Sequence, residues 1–117
     1  MATTLGSKFA NISPFQSNLA QLIAPASNVN GVVIRTASIH VGAAYAILST
    51  GIKAPSGYSD LTVPVILSSR GTEPGSGLPG AASVLPYEIQ IPAGYGVWFA
   101  KGPAVTGTAY ITYDLVA

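Results

Sequence analysis

The chain has 117 residues, with five Lys or Arg, four Asp or Glu, a net charge of +1 and no cysteine. That length allows one domain, and 8% charged residues is far below the roughly 25% of an ordinary soluble domain. So sparse a charge set excludes an electrostatic footprint for nucleic acid, the missing cysteine excludes disulfides and thiolate chemistry, and 49% hydrophobic residues excludes a disordered chain.

In chain order, residues 1–8 hold no basic region followed by an apolar run, so a signal peptide is not expected. Ser13-Pro14-Phe15-Gln16 offers an N-cap serine, a proline at the first helical position and a glutamine three residues after the cap. Phe15, Leu19, Leu22 and Ile23 then fall on one helical stripe, and Pro25 stops it. So short a helix does not hold alone in water, and its stripe must dock. Residues 1–30 therefore read as an N-terminal arm with one short helix that contributes more to association than to folding. Phe9, Ile12, Phe15, Leu19, Leu22 and Ile23 are its candidate interface side chains, and residues 31–117 read as a β-sandwich.

Beyond the arm, Gly and Pro cut the chain into short pieces rich in Val, Ile, Tyr and Thr, the chemistry of strands. The segment 31–39 predicts a strand with Val33, Arg35, Ala37 and Ile39 on one face, continued by 41–48. The uncharged stretch 36–52 carries Ser38, His40, Gly42 and Ser49 and falls short of the about 20 apolar residues of a helical span, so no membrane partner is expected. A third strand covers 61–67, where Pro64 implies an edge or a bulge. Residues 68–83, with four glycines and two prolines, read as a surface loop. Strands follow over 84–91 and 96–100, separated by the turn Pro92-Ala93-Gly94. The last strand, 108–116, alternates Ala109, Ile111, Tyr113 and Leu115 against Tyr110, Thr112, Asp114 and Val116. Short strands with turn signals between them predict an all-β, antiparallel sandwich of jelly-roll type.

Chemistry-bearing motifs are scarce. Gly75-Ser76-Gly77-Leu78-Pro79-Gly80 matches the dinucleotide glycine pattern by letter, but no strand precedes it and no helix follows, so it reads as a loop. His40 is the only histidine and has no carboxylate at a metal-ligand spacing. A triad of His40 with Asp60 or Asp114 lacks a nucleophile elbow, and the spacing of Glu73 and Glu88 supports no glycosidase pair. The turn at Pro92 and Gly94 resembles that of the cupin second motif, yet Val97 stands where the metal-binding version needs histidine. No catalytic, cofactor-binding or metal site is expected.

The segment from Leu85 to Phe99, LPYEIQIPAGYGVWF, followed by Gly107 to Leu115, GTAYITYDL, resembles small virion structural proteins of tailed bacteriophages. These are compact β-sandwiches of the capsid cement or decoration kind. The resemblance implies a non-enzymatic subunit of a virion, assembled in the bacterial host cytoplasm, that clamps major capsid protein or other virion subunits and forms a homo-oligomer. Scarce charge fits a surface buried in a symmetric assembly. A different class stays open: a receptor-binding or lectin-like knob of a phage tail fibre, with Tyr95 or Trp98 stacked on a host-surface glycan. A hydrolase is a distant third.

Overall fold

The computed structural model describes residues 5–12, 19–42, 45–70, 81–102 and 107–117. Among them the chain forms strands β1 (Lys8–Ile12), β2 (Leu19–Ile23), β3 (Val32–Val41), β4 (Tyr45–Gly51), β5 (Val65–Arg70), β6 (Ala81–Val84), β7 (Ile89–Ile91), β8 (Gly96–Lys101) and β9 (Gly107–Leu115). One 3-10 turn, Pro25–Ser27, is the sole helical element of the described residues. The fold is all-β, as the strand-rich composition predicts.

Every pairing is antiparallel. The first sheet runs β1-β9-β3-β6, with β7 also paired to β3, and the second runs β2-β8-β4-β5. Their inner faces meet in one core. Ile34, Ile39, Val41, Ala109 and Ile111 come from the first sheet, and Ile23, Ala46, Leu48, Val97 and Phe99 from the second. The open side between β5 and β6 is tied by the Ser83 hydroxyl, which donates to the Ser68 carbonyl at 2.7 Å. No helix of the described residues is long and apolar enough to cross a membrane.

The N-terminal third departs from expectation. Residues 19–23, assigned by periodicity to a helix, are β2, hydrogen-bonded along β8 with a register shift between Gln21 and Ile23. The apolar spacing that mimics a helical stripe is produced by this bulge, and pairing with a buried strand overrides the helix propensity of Leu, Ala and Gln. Ser13 to Asn18, the rest of the expected helix, lie outside the described residues. Both strands of the expected arm are built into the sandwich: β1 pairs with β9 and β2 with β8. Gly6 shows how closely this segment lies on the sheet, since a Cβ there would run into the Tyr113 backbone.

A second bulge resets β3. Ile34 faces Tyr113 while Thr36 faces Thr112, leaving Arg35 as the extra residue. The buried positions are therefore Val32 and Ile34 before the bulge and Ala37, Ile39 and Val41 after it. The expected face is right for Ala37 and Ile39 but not for Val33 and Arg35. Further along, the expected continuation of this strand breaks, and β4 starts in the other sheet. Pro64 stands just before β5, the edge of the second sheet; its carbonyl accepts the Thr50 amide at 2.9 Å. The bulge expected there falls where Leu48 faces Leu67 and Ser49 faces Val65. The turn at 92–94 is as read: the Tyr95 amide donates to the Pro92 carbonyl, and Gly94 takes a φ of +83°, which a side chain resists.

Candidate functional site

The expected interface residues do not make one surface. Phe9 projects from β1 on the outer side of the first sheet and is exposed. Ile12 and Leu22 are half-buried and pack against the core, while Ile23 belongs to it. Leu19 is half-buried on β2, and Phe15 lies outside the described residues. Of the described members of the stripe, Leu19 pairs opposite Ala100, while the bulge between Gln21 and Ile23 lets the consecutive Leu22 and Ile23 both pack on the core.

The two rings expected to meet a glycan are also placed otherwise. Trp98 lies on the outer side of the second sheet and is only 4% exposed. A Cβ on Gly96 would come within 2.7 Å of the indole Cη2 and 2.8 Å of Pro25 Cδ, so the 3-10 turn and the ring close over this glycine. Tyr95 is half-buried and packs against the core. Neither presents a free ring face of the kind stacking needs.

Asn28, which the sequence reading passed over, organises this end of the molecule. It is 2% exposed, and its Nδ2 donates to the Pro92 carbonyl at 2.7 Å and the Tyr95 carbonyl at 2.9 Å. Its Oδ1 accepts the Gly31 amide at 2.8 Å, and its own carbonyl accepts the Gly94 amide. One amide side chain thereby fastens the turn after β7 to the entry of β3.

Two outer surfaces have shape. On the second sheet, β4, β5 and the segment between them form an open groove of about 610 Å³ lined by Tyr45, Ile47, Tyr58, Leu61 and Val65, with Asp60 among the polar lining residues. Tyr45 and Tyr58 stack with ring centroids 6.2 Å apart, and the Arg70 guanidinium lies 4.9 Å from the Tyr45 centroid. Leu61 is 93% exposed. Asp60 is occupied structurally, accepting the Ser56 and Thr62 amides and the Thr62 hydroxyl. These bonds, the Thr62 hydroxyl foremost, hold its carboxyl well below the usual range.

On the first sheet, a smaller cleft of about 320 Å³ lies over β3 and β9, bordered by the segment after β6. At one end Arg35 bridges two carboxylates, Nη1 to Glu88 at 2.6 Å and Nε to Asp114 at 2.9 Å. Asp114 also accepts the Ser7 hydroxyl and amide. The Ser7 hydroxyl first, then its amide and Arg35, lower the Asp114 carboxyl to about 2. A carboxyl whose folded value is depressed contributes stability that is present above its unfolded value near pH 4 and lost as the pH falls through its folded value near 2. Melting the chain and Asp114→Asn side by side should show a stability gap near neutral pH that closes between about pH 4 and pH 2. A gap of constant size across that range would mean that Asp114 is not held by these contacts.

Among the described residues the candidate catalytic side chains are engaged or exposed singly. His40 is exposed on β3 between Thr108 and Ala82, and Glu88 is engaged with Arg35. Among the described residues no three His, Asp or Glu side chains converge to hold a metal ion. The glycine-rich segment 75–80 and Glu73 lie outside the described residues. Lys101 is fully buried, its Nζ 3.5 Å from the Gly102 carbonyl and its stem against the position of Gly107; nothing in its composition or local pattern signals this burial. Compared with known protein families and with curated proteins, the chain matches none.

Proposed function

We propose that this chain is a non-enzymatic structural subunit of a phage virion, of the cement or decoration kind, which binds capsid subunits through the outer side of its second sheet. The observation that carries the reading is the groove there: an aromatic pair, Ile47, Val65 and a nearly fully exposed Leu61 on a chain with very few charges. Contiguous apolar surface of this kind marks interaction sites, and aromatic anchors dominate such interfaces. Two further points support it. One is the resemblance of the segments 85–99 and 107–115 to phage virion proteins. The other is the strand order, 1-9-3-6 facing 2-8-4-5, which reads as the double Greek key of jelly rolls, an architecture shared by capsid and lectin domains. Architecture alone does not assign function, so the groove bears the weight. The alternative of a fibre knob loses the support of Tyr95 and Trp98, neither of which offers an open ring.

The test is co-sedimentation of the purified chain with capsids of its source particle that lack it. Wild type should pellet with the capsids, and Leu61→Asp, a change at an exposed side chain, should bind at least tenfold more weakly while melting like wild type. Binding unaffected by Leu61→Asp, or no binding by wild type, would overturn the assignment.

A further inference from the structure

We infer that the cleft on the outer side of the first sheet is a saccharide site that takes a neutral pyranose ring. This inference concerns the sheet opposite the proposed capsid-binding groove and does not depend on that reading. Its first support is the wall: Tyr87 is 68% exposed and Tyr110 48%, and both line the cleft. Exposed tyrosines offer a rigid apolar face with a polar tip, matching a sugar, which has C–H groups on its ring faces and hydroxyls around its edge.

The floor supplies the complementary hydrogen-bonding groups. The bulge in β3 turns two consecutive residues, Arg35 and Thr36, toward the cleft. Thr36 and Thr112 share one hydrogen bond at 2.7 Å between their hydroxyl oxygens, and Thr112 Oγ1 also accepts the Gly6 amide at 3.1 Å. Two hydroxyls bring two protons and only one is used between them, so one O–H remains to donate. Ser38, next along the floor, makes no side-chain hydrogen bond among the described residues. Arg35 spends Nη1 and Nε on carboxylates, which leaves its Nη2 amino group for a ligand oxygen.

Size and charge narrow the ligand. About 320 Å³ is at the small end of the roughly 300–1,000 Å³ range of ligand pockets, room for a sugar ring rather than a folded partner's side. The Arg35, Glu88 and Asp114 cluster carries one positive and two negative charges, so a carboxylated sugar meets net repulsion where a neutral one meets none.

The full chain, labelled with nitrogen-15, is titrated with maltose, cellobiose and lactose, and with sialyllactose as the charged comparison. Saturable shifts are expected for the amides of Thr36, Ser38, Tyr87 and Tyr110 with at least one neutral disaccharide, with a dissociation constant on the order of 1 mM. Sialyllactose should bind more weakly than lactose. Tyr87→Ala should weaken binding at least tenfold with an unchanged melt, whereas Tyr95→Ala should leave affinity as it is. No saturable shift up to about 50 mM, roughly fiftyfold above the expected constant, would overturn the inference. So would binding indifferent to Tyr87→Ala, preference for sialyllactose, or self-association that buries Tyr87 and Tyr110 between copies.

Discussion

Replacing Asn28 with alanine is expected to lower stability by about 3–5 kcal/mol. The substitution strips partners from two carbonyls, of Pro92 and Tyr95, and from the Gly31 amide. The Gly31 bond is buried and the two carbonyl bonds are part-buried, and an unpaired buried polar group costs about 1–3 kcal/mol. Asn28→Asp should be no better near neutral pH, since a carboxylate would then face the same two carbonyl oxygens with no proton to offer. Urea unfolding at constant slope is the measurement. A loss below about 1 kcal/mol would show that the Asn28–Gly94 backbone bond and the turn suffice to hold this end together.

Ile111→Ala is expected to fall in the upper half of the 2–5 kcal/mol range for core truncations. Ile111 is fully buried, and its cross-strand neighbours on either side are Ala10 and Ala37. Small residues flanking the site cannot swing in to fill the cavity, and an unfilled cavity is what raises the loss. The adjacent Thr112→Ala removes a hydroxyl bonded to Thr36 and to the Gly6 amide, so about 1 kcal/mol is expected there, more than an unengaged surface threonine would give. Denaturant melts of both variants test the register of β9 directly, and equal small losses would contradict it.

That register was legible in the sequence, because 108–116 alternates without interruption: Ala109 and Ile111 are buried and Tyr113 is half-buried against the core, although Leu115, which the same alternation turns inward, is exposed at the end of the strand. The turn at Pro92 to Gly94 was legible for the same reason: its chemistry is local. Elsewhere the deciding facts are not local. The phase of β3 changes at Arg35 because of a bulge against β9, and no pattern within 31–39 announces an extra residue. The stripe from Phe15 to Ile23 satisfies a helical spacing by accident of a bulge in β2. The surfaces were the least accessible of all. Tyr87 and Tyr110 border one cleft only because β6 and β9 flank β3. Trp98, the more conspicuous aromatic, is buried where its ring and Pro25, a residue distant in the chain, close over Gly96.

The nesting of the strands also governs how this chain acquires its structure. Phe9 pairs opposite Thr112 and Leu19 opposite Ala100, so β1 and β2 are made well before the strands they pair with. Until then β1 and β2 are unsatisfied edges, available to any neighbouring nascent chain. Pairings of such long sequence separation also place folding on the millisecond-to-second scale typical of all-β sandwiches. Slower synthesis lengthens the wait without supplying the missing partner, whereas lower temperature weakens the apolar self-association that competes with it.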